Sequence, residues 1–420
     1  MELLRNVVRP YAWGSRTAIA ELLGGPVPAP HPQAELWLGA HPADPSVLVH
    51  ADGAQTSLLE ALHTDPDRHL GARCAEHWGK RLPFLLKVLA AEEPLSLQAH
   101  PSAEQAAEGF AREEARGVPR DAPERNYPDA SHKPELICAL TELHALVGFR
   151  DPVGTVELLA ALDTPALEPY RALLAAAPDS GGLRTLFTTW ITLPQPAVKA
   201  LLPLTMQACE ALLRQGSGND GFRAVAAEVL ALAEAHPGDV GVLAALLLNH
   251  VVLGPGEALY LPAGNLHTYL RGTGVEIMAN SDNVLRGGLT AKHVDVPELL
   301  RVLDFSYGEL PVQRGEPVGP QEIAYRTPAE EFRLTRLEWA QGEPTPVLLN
   351  SRWPQILLCT RGSAELRPLG GRGMTVRRGC SVWLAAADPE VMVYPQSEPL
   401  QLFRAMPGLA AASQGEPIDL

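Results

Sequence analysis

No run of about 18 apolar residues is uninterrupted anywhere in the chain. The start, MELLRNVVRPYAWG, lacks a charged segment followed by an apolar stretch long enough for a signal peptide. Together these absences predict a cytoplasmic protein with no membrane partner. Positive charge is also scarce: 34 Lys and Arg against 49 Asp and Glu give a formal net charge of -15, which repels a polyanion. No basic stripe or nucleic-acid motif offsets it, so nucleic acid is excluded as a partner. The five cysteines (Cys74, Cys138, Cys209, Cys359 and Cys380) are odd in number and form no C-x-x-C pair, which argues against a zinc ribbon or a redox dithiol. They are read as reduced, mostly buried thiols.

What is present is the composition of a folded chain, 46% hydrophobic and 20% charged. Its 420 residues exceed what one core usually organises, so two or three domains are expected, any of which can be interrupted. ELWLGA, PSVLVH and PFLLKVL are short strand-like runs between Pro- and Gly-rich turns. From Asp151 the texture changes to Leu and Ala at helical spacing, with Asp151 as N-cap and Pro152 in the first turn. Strand signals return at HVVLGPGEALYLPAG. The expected division is therefore a β domain in two parts, residues 1–151 and 246–318, interrupted by a helical insertion, residues 152–245, and followed by a C-terminal β-barrel, residues 319–420. FRLTRLEW, QILLCTRGSAELRP, MTVRRGCSVWLA and LQLFRAMP supply that last unit's strands. Aligning GPGEALYLPAGNLHTYL with RRGCSVWLAAADPEVMV sets Gly256 over Gly379 and hints at a duplication, but His267 then falls on Glu390, so the copy carries no metal-binding histidine.

Gly256, five further residues, and then Pro262-x-Gly264-x-x-His267 resembles the second motif of the cupin barrel: a glycine turn, a strand, and a Pro/Gly corner that returns the next strand into the interior. Arg271 stands where that pattern has asparagine. In PLSLQAHPSAEQA, Ser96, Gln98 and His100 share one face of an extended chain, because side chains alternate with period two. In SHKPELICAL, His132, Lys133 and Glu135 open an otherwise apolar strand, and a carboxylate there is costly to bury unless it is paired or bound to metal. Histidine and carboxylate suit zinc, whereas a neutral glutamine oxygen is an unusual ligand. His144 and His293 have plainer readings as core or surface histidines, and His132 as an outer neighbour of the site.

YAWGS, AELWLGAHP, PLSLQAHP, HKPE, LPAGNLHTYL and SDNVLRGGLTAKHVDV, in that order over most of residues 10–300, resemble the type I mannose-6-phosphate isomerase (phosphomannose isomerase) family. The resemblance implies a mainly β fold with an α insertion: a cupin (jelly-roll) catalytic barrel, an inserted helical domain, and a second, metal-free cupin-like barrel. It implies one Zn2+ held by Gln98, His100, Glu135 and His267. The implied substrate is a phosphosugar, interconverted between aldose and ketose through an enediol, a step that feeds mannose activation toward GDP-mannose.

Such a reaction needs a base, an electrophile for the developing oxyanion and an anchor for the phosphate. The resemblance places Arg286 in the active site, Lys292 at the phosphate, and Glu35, Lys87 and Ser96 in the substrate pocket. For proton transfer Glu276, Asp282 and Lys133 remain open, a lysine buried near a metal being a usable base. Two alternatives carry other chemistry. An iron-dependent cupin oxygenase would normally bring an H-x-D or H-x-H motif, replaced here by Gln98-Ala99-His100, and a sugar-phosphate sensor would bind without proton exchange. A monomer or a small homo-oligomer is expected.

Overall fold

Strand Phe84–Ala91 is apolar throughout except at Lys87, and every residue in it is buried. A strand buried on both faces has a layer on each side. The computed structural model, which describes residues 1–215, 219–342, 345–350 and 352–409, contains both layers. One face, with Leu86, Val88 and Ala90, joins an apolar cluster that continues through Leu136, Ile277, Leu334, Trp383 and Phe403. The other face carries Lys87, in register with Trp37 on one flanking strand and Glu276 on the other. Period-two alternation thus collects polar groups on the inner face while the apolar residues join this sheet to the C-terminal unit.

In chain order this first sheet contains Val7–Arg9, Glu35–Leu38, Phe84–Ala91, Leu97–Ala99, Glu135–Ala139, Leu143–Phe149, Leu248–Leu253, Ala258–Leu261, His267–Ala279 and Leu285–Gly288. His267–Ala279 organises it. Its beginning pairs with Leu97–Ala99 and Leu143–Phe149, its end with Phe84–Ala91 and Glu135–Ala139. The register slips between Tyr269 and Arg271, a bulge that redirects the strand between these two sets of partners. Gly272 follows at φ 117°, and a Cβ there would meet the Glu142 carbonyl oxygen at 2.4 Å, so glycine is required for the crossing.

Between Phe149 and Leu248 the chain leaves the sheet for the helices Pro152–Ala161, Glu168–Ala176, Ser180–Ile191, Gln195–Arg214 and Asp220–Ala235. Asp151 caps the first, accepting from the Gly154 amide at 3.0 Å with Pro152 in the first turn. Asp179 and Asn219 cap the helices that follow them in the same way. Leu158, Leu183, Trp190, Val229 and Leu232 form one core with Leu97, Leu146, Leu270 and Leu285 of the sheet, so the helical layer is packed directly against the first β-unit. Among the described residues no helix is long and apolar enough to cross a membrane.

In the C-terminal unit, Arg333–Trp339, Gln355–Arg361, Ser381–Leu384 and Leu400–Met406 belong to a nine-stranded sheet. It faces a second sheet made of Val347–Leu349, Ser363–Pro368, Met374–Arg377 and Val391–Pro395. Glu2–Arg5 enters the larger sheet, Leu3 pairing with Val382 on one side and Val49 on the other, so the chain's first strand serves the second unit. Gly256 and Gly379 have matching turn conformations, φ 86° and 85°, and each precedes a four-residue strand, Ala258–Leu261 and Ser381–Leu384. Cys74, Cys138, Cys209 and Cys359 are buried free thiols, and Cys380 is half-buried and also free.

Candidate metal centre and active site

The corner after Ala258–Leu261 does two things for the site. Gly264, at φ 77°, donates its amide to the His100 carbonyl at 2.8 Å, which ties QAHP to PAGNLH. Two residues before His267, the Asn265 carbonyl accepts from His267 Nδ1 at 3.0 Å, and the Asn283 carbonyl does the same for His100 Nδ1 at 2.8 Å. A proton on Nδ1 leaves the Nε2 lone pair of each ring free to bind a metal. Asn283 is itself held by the Asp129 and Ser131 carbonyls, at 2.8 and 2.7 Å, which fastens the loop that leads into Lys133 and Glu135.

Both Nε2 atoms face one carboxylate. His100 Nε2 lies 3.3 Å from Glu135 Oε1, and His267 Nε2 lies 3.4 Å from Glu135 Oε2. The side chains are 1–3% exposed. His100 Nε2, His267 Nε2 and Glu135 Oε2 have no hydrogen-bond partner among the described residues, and the three side chains offer ligand atoms within 4.8 Å of one another. Orphaned groups of this kind are costly unless an ion joins them, and two imidazoles with a carboxylate are a zinc donor set. Gln98 is in register with His267 on one neighbouring strand and Arg286 on the other, so the three side chains stand side by side on one face. Burial pushes the His100 imidazole down to about 4, against Glu135, so it is neutral at physiological pH. Burial disfavours charge on Glu135, but Lys133, 2.9 Å away, and His100 outweigh it and hold the carboxyl well below its usual range.

Beside this centre lies a second buried network. Lys87 Nζ is 3.7 Å from both Glu35 Oε1 and Glu276 Oε2. Burial opposes the ammonium charge, but the two carboxylates outweigh it and raise the lysine above its usual range. Glu276 accepts from the Tyr269 hydroxyl at 3.0 Å and Glu35 from the Trp37 indole at 2.7 Å. Burial, then repulsion from Glu135, pushes Glu276 up to about 7 in spite of Lys87.

The remaining sequence-derived positions surround these two groups. Arg286 is half-buried on Leu285–Gly288, and burial lowers its guanidinium. Lys292 is exposed on the following loop, lowered by burial and then by Arg286. Ser96 is half-buried immediately before Leu97–Ala99. Asp282 is 55% exposed and 3.2 Å from His41 Nε2; His41 overcomes burial and holds the acid below its usual range. His132 pairs with Glu331 at 2.6 Å rather than with any of these groups. His41, Trp37, Tyr269 and Asn283 were not singled out from the sequence, although His41 and Trp37 lie within AELWLGAHP, where an aromatic and a histidine four residues apart were the available signal. A cavity of about 570 Å³ lies elsewhere, lined by Tyr260, Pro311, Arg326 and Phe332 among others, and holds none of these groups.

Comparison with known proteins adds three findings. Residues 1–152 match the phosphomannose isomerase type I catalytic domain. The chain is 37% identical over 394 residues to mannose-6-phosphate isomerase of Escherichia coli K12, covering 94% of this chain and 97% of that protein. It is 31% identical over 419 residues to mannose-6-phosphate isomerase 1 of Arabidopsis thaliana, covering 96% and 93%. Among solved structures, an alanine mutant of phosphomannose isomerase from Salmonella typhimurium superposes with a TM-score of 0.86 at 34% identity, over 97% of this chain and 99% of that one. A zinc-bound holo mannose 6-phosphate isomerase gives 0.85 at 35% identity over the same shares. The cupin architecture, with its helical insertion and second β-unit, is common to these structures and to this chain.

Proposed function

The chain belongs to the type I phosphomannose isomerase family, and from that premise we propose that it is a zinc-dependent enzyme interconverting D-mannose 6-phosphate and D-fructose 6-phosphate. The observation that carries the reading is the convergence of three buried, unpartnered ligand atoms on His100, Glu135 and His267 beside a buried carboxyl poised near neutrality. Gln98, in register with His267, would complete the ligand set. Zinc bound there supplies a Lewis acid that polarises and orients sugar oxygens. The organisation we adopt is a catalytic unit of residues 1–151 and 246–318, a helical insertion of 152–245 and a C-terminal unit of 319–420, with Glu2–Arg5, Val47–Val49 and Gln55–Ser57 paired into the last unit's larger sheet.

The residues divide the chemistry as follows. Glu276, with its carboxyl raised to about 7, both accepts and returns a proton near neutral pH, which suits a group that must do each once per turnover. It takes the proton from C2 of the aldose. The electron pair becomes the C1–C2 double bond of the enediol, and the carbonyl oxygen takes up a proton. Returning a proton to C1 as the C2 hydroxyl loses its own gives the ketose. Lys87, kept charged by Glu35 and Glu276, stabilises the oxyanion that develops at this stage. Asp282 is too exposed and too firmly held by His41 to serve as this base, and Lys133 is committed to Glu135. Arg286, in register with Gln98, and Lys292, on the loop that follows, anchor the phosphate dianion against an acidic surface. Ser96 completes the substrate contacts.

A coupled isomerase assay on chelator-treated and zinc-restored protein tests this directly. His267→Ala is expected to lose bound zinc and turnover together. Turnover that persists in metal-free protein would overturn the proposal. Oxygen uptake, absent under the same conditions, separates it from an oxygenase.

A further inference from the structure

A second histidine cluster lies where the helical layer meets the sheet, and it shares no residue with the centre above. His144 pairs with Val252 and His250 with Leu146, so the two histidines are diagonal neighbours on one face of adjacent antiparallel strands. Their rings are 5.5 Å apart at 28°. Glu228, from helix Asp220–Ala235, brings its carboxylate onto both. His144 Nδ1 is 3.3 Å from His250 Nε2; Glu228 Oε1 is 3.4 Å from His250 Nε2 and 3.6 Å from His144 Nδ1. In a tetrahedral site with ligands at about 2.0–2.1 Å, neighbouring ligand atoms are about 3.3–3.4 Å apart. These three atoms already have almost that spacing.

The protonation pattern also suits a metal. His144 Nε2 donates to the exposed Glu142 carboxylate at 2.9 Å, so Nδ1 is the lone-pair nitrogen, and it accepts from Arg271 at 2.9 Å. A carboxylate behind a ligating histidine is the usual way its tautomer is fixed. Burial lowers the His250 imidazole, which favours its neutral form; its Nε2 donates toward His144 Nδ1 and Glu228, and that proton moves to Nδ1 when a metal takes the site. What holds Glu228 to His144 here is the Arg271 guanidinium, bonded to Glu228 Oε2 at 2.8 Å and Oε1 at 2.9 Å as well as to His144 Nδ1 at 2.9 Å, while His250 contacts both of them directly. Arg271 is the residue that departs from the barrel motif, and its side chain is 47% exposed.

We propose that His144, His250 and Glu228 form a second site for a divalent transition metal such as zinc, weaker than the His100 centre because Arg271 competes for it as an internal cation. Two imidazoles and a carboxylate select a borderline-soft ion over magnesium or calcium. Entry of the metal frees Arg271 to solvent, so the affinity is set by the difference between the two cations.

The test is a zinc titration of the metal-stripped full chain against a chromophoric chelator. Wild type is expected to bind one tight and one weaker equivalent. His250→Ala and, independently, His144→Gln should remove the weaker class and spare the tight one, whereas His267→Ala should do the reverse. Arg271→Gln should tighten the weaker class by at least about tenfold. Because that change leaves Glu228 without its cation, zinc should also raise the melting temperature of Arg271→Gln more than that of the Arg271→Gln/His250→Ala double variant. A single equivalent in both wild type and Arg271→Gln, a second equivalent that survives His250→Ala, or equal rises in melting temperature would each overturn the proposal.

Discussion

Inside the first β-unit lie Glu35, Lys87, Glu135, Tyr269 and Glu276; between the two sheets of the second lie Leu337, Trp339, Leu357, Val382 and Leu402. Both units are built from short antiparallel strands turned by glycines in the same conformation, Gly256 in one and Gly379 in the other. The inward-facing positions differ: those of the second unit are mostly apolar, with a largely buried network of Arg404, Gln355, Glu322 and Thr335 at one end. A buried ionic interior is at best a near balance between desolvation and pairing, while a buried apolar one stabilises by roughly 25 cal/mol per Å² removed from water. The second unit therefore contributes mainly stability, and the chemistry belongs to the first. The shared cluster of Leu86, Val88, Ile277, Trp383 and Phe403 lets one support the other.

Substitutions on the two sides should separate along that line. The largest expected effect is Glu276→Gln, which removes the proton-transfer group and should lower turnover about 10²–10⁴-fold while zinc stoichiometry stays at the wild-type value. Steady-state kinetics and metal analysis on the same sample read both. Leu402→Ala, in the apolar interior, should do the opposite: a loss of about 2–5 kcal/mol in urea unfolding, with kcat per folded molecule unchanged. If Glu276→Gln retained activity, or if Leu402→Ala emptied the metal site without unfolding the chain, the division between the units would fail.

How far this was readable from the sequence depends on how local each signal is. The Gly256–His267 corner, the alternation through Ser96, Gln98 and His100, and the helices capped by Asp151 and Asn219 are written in consecutive residues. Strand pairing is not. That Lys87 stands between Trp37 and Glu276, or Gln98 between His267 and Arg286, depends on register across distant segments, so Glu35 and Lys87 could be placed in a pocket only through the family resemblance. The same holds for His41 and Asp282, for Tyr269 against Glu276, and for Glu2–Arg5 crossing to the second unit. His144 reads as an ordinary core or surface histidine because nothing local states that it meets His250 over Glu228.

Protonation offers a smaller and more specific contrast. In the metal-free chain Glu276 binds its proton more readily folded than unfolded, since burial raises it to about 7 from an ordinary carboxyl value. A raised folded-state value means that the stabilisation is complete at low pH and is lost as pH rises through about 7. The melting temperature of chelator-stripped wild type should therefore fall between about pH 4.5, where the unfolded carboxyl ionises, and about pH 7, and level off above that; Glu276→Gln, which carries no such proton, should flatten that fall. Parallel curves for the two proteins would remove Glu276 as the raised group. The apolar unit provides the control, because Leu402→Ala should shift the whole curve down without changing its slope.

The smallest expected effect concerns how the site is fastened rather than what it contains. Helix Ala103–Ala115 starts three residues after His100 and is closed by a capping box. Ser102 Oγ accepts from the Gln105 amide at 3.2 Å, and Gln105 Oε1 accepts from the Ser102 amide at 2.9 Å. Ser102→Ala should cost about 1 kcal/mol of stability. Zinc affinity should fall by less than about tenfold, equivalent to 1.4 kcal/mol, because His100 is still held by the Gly264 amide on its carbonyl and by the Asn283 carbonyl on its ring. Competition titration of the variant measures this. A loss much greater than tenfold would mean that the helix start, and not these two backbone contacts, sets the position of His100.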